Sequence, residues 1–205
     1  MNRIKILHYD NGFWLYYRTL ENGKFKWPTN YNGEINITFE ELTDIPKYFD
    51  EVKKFEVKEA DGTHIGILYT DYHPRKGKGT GAWCGGFRDQ SNRNEQWVYP
   101  LITNVANFSG PVGDKPGLLS FDDVETLFHE FGHALHFLLR NTTYTNQNIP
   151  RDFVEFPSQI MENWATEPEV LKHYALHYET GEPIPDELIN KIQNASLHNQ
   201  GFGTV

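Results

Sequence analysis

The feature that most restricts what this chain can become lies in residues 120–140. There Val124, Leu127, Phe128, Phe131, Leu135 and Leu138 recur at helical spacing, and His129, Glu130 and His133 are set among them. Apolar residues at that period form one stripe of an amphipathic helix. Ser120 is suited to cap its start, with Asp123 three positions on as the capping-box partner and Asp122 adding charge that favours the helix dipole. Arg140 and Asn141 suit its end.

Within this predicted helix stands His129-Glu130-Phe131-Gly132-His133, an HExxH motif. Its two imidazoles fall one helical turn apart on one face, within reach of a single tetrahedral zinc ion. Glu130 lies beside them, placed to act as base toward a water without ligating the metal. Three fixed residues also meet by chance on ordinary amphipathic helices, so the motif needs context. Gly132 supplies some: a glycine inside a helix costs about 1 kcal/mol relative to alanine. Its place between the histidines predicts that another backbone, or a substrate, passes close by.

A catalytic zinc takes three protein ligands and keeps one position open. His136 shares the face of His129, but seven residues of helix separate them by about 10 Å, too far to share one ion. It is expected to pack or to support the site. The longer pattern HExxHxxGxxH is absent, because His136 stands at its glycine and Leu139 at its last histidine. Asp152, Glu155 and Glu162, at or near the start of a following helix, are the candidates for the third ligand. Spacing does not choose among them, and each has an ordinary alternative: Asp152 as a cap, Glu155 as a first-turn acid, Glu162 on a solvated face.

Elsewhere, alternation in residues 54–72 around the turn signal Asp61-Gly62 predicts a β-hairpin. The glycine-rich stretch at 74–96 reads as a loop and is no phosphate loop, since the Gly-Lys-Ser/Thr ending is missing. An edge strand at 81–87 could take up a peptide by strand addition, with Gly81, Ala82 and Trp83 as candidate contacts. Residues 97–105 read as a strand in which Pro100 favours an edge or a bulge. Further helices are expected over about 156–165, 169–179 and 185–193, and short strands and turns over residues 1–35.

A formal charge of −9 and a pI near 5.4 argue against a phosphate-backbone partner, and anionic membrane surfaces would repel such a chain. No apolar run approaches the roughly 20 residues that span a bilayer. The lone Cys84 cannot form an internal disulfide, which suits a reducing compartment, so a cytoplasmic location is expected.

Two extended stretches, 127–136 (LFHEFGHALH) and 152–164 (DFVEFPSQIMENW), stand in the order found in the thimet oligopeptidase and peptidyl-dipeptidase group of zinc peptidases, which the chain resembles. The resemblance implies one zinc ion held by His129, His133 and Glu155, with Glu130 as catalytic base. It also implies short peptides as substrates, with 152–159 closer to the peptidyl-dipeptidase branch. An α+β, mainly helical fold follows, a zincin-like core with a small, largely antiparallel sheet beside the active-site helix. The likeness covers residues 36–205 and leaves 1–35 poorly matched. Family members are several times longer, and their His- and Tyr-rich segment lies beyond the equivalent of Val205. The chain is therefore expected to be a catalytic-domain fragment or truncated relative, a peptidase or else a zinc- or peptide-binding module without catalysis.

Overall fold

In a computed structural model the chain is described over residues 51–93, 95–145 and 149–197, with short strand segments at 2–3, 8–9, 13–14, 19–20 and 37–41. Four of these segments are two-residue strands: β1 (Asn2–Arg3), β2 (His8–Tyr9), β3 (Phe13–Trp14) and β4 (Thr19–Leu20). β1 pairs with β4 and β2 with β3, both antiparallel, as expected of short strands and turns, while 21–36 lie outside the described residues.

The described residues form two compact units, 22–162 and 1–21 with 163–205. In the first, β5 (Ile37–Glu41), β6 (Lys53–Glu59), β7 (His64–Asp71), β8 (Trp83–Arg88) and β11 (Leu101–Val105) make a five-stranded sheet in the order β5-β6-β7-β11-β8. The intervening β9 (Ser91–Arg93) and β10 (Gln96–Val98) pair only with each other. The expected hairpin is β6–β7, and Gly62 supplies its turn with φ +92°. Three of the sheet's pairings are antiparallel, and β11 joins β7 in parallel, so the sheet is mixed.

Pro100 breaks the predicted strand 97–105 in two, and the bulge it favoured lies just beyond it, where the β11–β8 register shifts between Leu101 and Ile102. β11 itself is interior. A proline tolerates that position because it precedes the strand, and its carbonyl still accepts the Ile67 N–H at 3.0 Å.

α1 (Phe121–Leu138) begins at Ser120 with both halves of the predicted capping box in place. It lies on β7, β8 and β11, burying Phe128, Ala134 and Leu138 in a core that includes Leu68 and Ile102. Burial of each large apolar side chain contributes about 1.5–3 kcal/mol. Gly66 on β7 is obligatory there, because a Cβ would stand 2.8 Å from the Pro100 ring and carbonyl and 3.2 Å from Leu138. Then come α2 (Arg151–Val154) and α3 (Phe156–Ala165), and the division between the units falls inside α3. The N-cap of α2 is Pro150, with no side-chain cap, so the capping alternative for Asp152 is not realised.

In the second unit, α4 (Pro168–Tyr174) buries Val170 and Leu171, and α5 (Asp186–Leu197) buries Ile189. α4 stops five residues short of the predicted 179. Beyond it the chain turns back through a Leu176–Pro183 bridge, closed by Gly181 at φ +73° and by His177 N–H donating to the Glu182 carbonyl. Among the described residues, no helix is long and apolar enough to cross a membrane.

Candidate metal centre

The histidines sit where helical geometry requires. One turn apart on α1, their ring centroids are 4.9 Å apart and the rings nearly perpendicular at 82°. Both turn Nε2 toward one carboxylate oxygen. Glu155 Oε2 lies 3.2 Å from His129 Nε2 and 3.1 Å from His133 Nε2. Tetrahedral bonds of about 2.0–2.2 Å would place ligand atoms about 3.3–3.6 Å apart. Two imidazole nitrogens and a carboxylate oxygen thus converge at nearly the spacing that zinc needs, and these donors are suited to that ion.

Glu155 reaches this point because it closes α2 just before α3 opens. Ser158, fully buried in the first turn of α3, donates its hydroxyl to the Glu155 carbonyl at 2.8 Å and carboxylate at 2.9 Å. This hydrogen bond, with the two histidines, holds the Glu155 carboxyl below its usual range against some desolvation. Sequence reading passed over Ser158. Its signal was a hydroxyl three residues after a carboxylate at a helix start.

Glu162, two turns along α3, accepts a hydrogen bond from Nδ1 of His129. That fixes the ring and turns Nε2 toward the Glu155 carboxylate, the arrangement common to metal-bound histidines. The solvated-face alternative for Glu162 is not realised, since its side chain is partly buried and hydrogen-bonded to His129. Asp152 is exposed and belongs to no ligand cluster among the described residues. His136 packs edge-on against Phe153 and stacks on Phe137, apart from the cluster.

Glu130 is buried, and its Oε2 has no hydrogen-bond partner among the described residues. Desolvation raises its carboxyl above the ordinary value, opposed by His129 and reinforced by Glu155. A buried carboxylate oxygen without a partner, on the residue next to His129, is fitted to receive a proton. Burial lowers His133 and favours the neutral imidazole that a metal requires. Nearby, burial and the Glu130 charge push the Cys84 thiol up, away from the reactive thiolate.

A cleft of about 380 Å3 opens on these residues, lined by Ala82, Glu125, Thr126, His129, Glu130 and Glu162. Of the three candidate peptide contacts, Ala82 lines it. Gly81 precedes it at φ +88°, and Trp83 begins β8, half-exposed, at an end of the five-stranded sheet.

A helix-borne HExxH pair met by a carboxylate from the next helical segment, beside a sheet edge, is the site type of a metallopeptidase. Comparison with known proteins narrows the class. The chain belongs to peptidase family M3, whose profile matches residues 31–205. It is 47% identical over 174 residues to a dipeptidyl carboxypeptidase of Escherichia coli (strain K12), covering 83% of this chain and 25% of that protein. With the dipeptidyl carboxypeptidase of Salmonella typhimurium it shares 46% identity over 186 residues (89% and 27%), and with that organism's oligopeptidase A 40% over 161 (76% and 24%). The resemblance read from the two motifs is thereby borne out. The chain spans about a quarter of the length of these relatives. A second profile, IS66 Orf2 like protein, matches residues 1–49.

Proposed function

We propose that this chain carries a zincin-like core that hydrolyses peptide bonds in short peptides, with one zinc ion held by His129, His133 and Glu155. The observation that carries the reading is the convergence of both imidazole Nε2 atoms on Glu155 Oε2, with Glu130 Oε2 buried and open beside them. A zinc ion there would supply Lewis acidity toward water and the scissile carbonyl. Glu130 takes the proton of the attacking water as its oxygen bonds to the carbonyl carbon. It then delivers that proton to the departing amine as the C–N bond breaks. Glu162 keeps the His129 ring oriented, and Ser158 holds Glu155 ready. The edge of β8 from Ala82 onward receives the extended peptide as an added strand.

The identity to two dipeptidyl carboxypeptidases supports the peptidyl-dipeptidase branch, which removes dipeptides from C-termini. A reducing, cytoplasmic setting is in keeping with the single cysteine. The division into a poorly matched segment 1–35 and a peptidase portion 36–205 is in keeping with a peptidase profile that begins only at residue 31.

A second reading is that the chain binds zinc or peptide without turnover. Purified full chain with stoichiometric zinc, offered an internally quenched fluorescent peptide, decides between the two. Cleavage that stops with Glu130→Gln supports the peptidase. Tight zinc or peptide binding without cleavage supports the second reading, and binding of neither removes both.

A further inference from the structure

The eleven residues between β7 and β8 carry chemistry that the metal centre leaves unused. Lys78 is almost fully buried, and its ammonium lies 2.9 Å from the Asp71 carboxylate, 2.9 Å from the Asp71 and His73 carbonyls and 2.5 Å from the Ala106 carbonyl. Arg75 takes the same carboxylate in a fork at 2.6 and 2.9 Å. A buried ammonium is expensive to desolvate and persists only where its hydrogens are met. Here the acceptors lie on the end of β7, the loop, and the residue after β11, so one side chain ties the loop to both strand ends.

The far end of the loop has its own anchor. Asn107, two residues past β11, donates its amide hydrogens to the carbonyls of Gly79 at 2.9 Å and Gly81 at 2.7 Å. An amide nitrogen has two hydrogens, and each finds one carbonyl. Between these carbonyls the chain turns, with Gly81 in the left-handed region at φ +88°, while a Cβ added at Gly79 would stand 3.7 Å from the Trp83 indole. The next residue is Ala82, on the cleft wall with His129 and Glu130.

We propose that Asn107 is a positioning residue for peptide binding: by gripping Gly79 and Gly81 it sets where Ala82 enters the β8 edge beside the metal centre. This rests on the strand-addition reading of the β8 edge. Strand addition needs the first edge groups preorganised, since each residue ordered at binding weakens affinity. Among the described residues Asn107 makes no hydrogen bond to His129, His133 or Glu155, so its influence falls on peptide affinity and not on zinc.

The test uses the full chain carrying Glu130→Gln and loaded with zinc, which can bind a fluorescein-labelled hexapeptide without cutting it. Affinity is read by anisotropy, zinc affinity by chelator competition, and folding by the thermal midpoint. With Asn107→Ala added, peptide affinity is expected to fall by about tenfold, with zinc affinity and midpoint unchanged. Gly81→Ala, which strains the same turn, is expected to act in the same direction. Unchanged peptide affinity in both variants overturns the inference while the edge-strand reading stands. A fall in midpoint and zinc affinity matching the loss of peptide binding also overturns it, by making Asn107 an ordinary structural residue. If the parent Glu130→Gln chain binds no peptide, the edge-strand reading itself fails and takes this inference with it.

Discussion

Gly132 and Pro157 meet where no larger residue fits: a Cβ on Gly132 would stand 2.6 Å from the Pro157 carbonyl oxygen. The same Cβ would be 2.6 Å from Ser158 Cα, so backbone would have to move. Gly132→Ala therefore gains about 1 kcal/mol of helix propensity but incurs about 1–3 kcal/mol of overpacking. Because α3 must retreat, Glu155 retreats with it. The expected result is a lower thermal midpoint and weaker zinc binding together. A variant with raised midpoint and intact zinc affinity would show that the helices separate freely.

His133→Ala and Glu155→Ala should each lower zinc affinity far more than Asp152→Ala, which removes an exposed carboxylate. Loss of a direct donor removes a coordinate bond, whereas an exposed acid only shifts the local field. Competitive chelator titration ranks the three. Equal effects from Asp152→Ala and Glu155→Ala would misplace the third ligand.

Glu162→Gln should weaken zinc by about 10–100-fold without abolishing binding, the usual cost of losing the group that orients a liganding imidazole. The amide can still meet His129 Nδ1–H through its oxygen, so Glu162→Ala should be the worse of the two. Loss as complete as for His133→Ala would make Glu162 a ligand.

For metal-free protein, Glu130→Gln should raise the thermal midpoint at neutral pH. The Glu130 carboxyl is raised by desolvation, so its stabilising, protonated form is fully present below the ordinary value of 4.5 and lost as pH rises through the higher folded value. The variant lacks that loss, and its advantage over the parent should widen with rising pH and then level off. Each 1 kcal/mol corresponds to about 2–4 °C in a chain of this size. An advantage that shrinks as pH rises would contradict the assigned sign.

Much of the centre was legible because its parts are local. Ser120, Asp123 and the apolar period announced α1, and HExxH placed both histidines on one face. The cost of Gly132 foretold a close backbone, which proved to be that of Pro157 and Ser158. What stayed hidden depends on the path of the chain between elements. Glu155 and Glu162 could not be ranked by spacing, because the break between α2 and α3 decides which carboxylate faces the Nε2 atoms and which faces Nδ1. Nor did alternation reveal that β11 inserts in parallel beside β7, a pairing between residues more than thirty positions apart. Lys78 lies in the glycine-rich stretch read as a loop, and nothing local in that stretch marks it for burial. Its burial follows from the carbonyls gathered at the ends of two strands.

The strand order also governs how the site can come into being. β8 follows β7 in the chain but touches β11 in the sheet, so β8 has no ladder to join until residues 101–105 exist. As a chain emerges from the ribosome, the β6–β7 hairpin can close early, while Ala82 and Trp83 wait without a neighbour. The cleft wall is completed only when β11 fills the gap, some twenty residues of synthesis after its own sequence has been laid down.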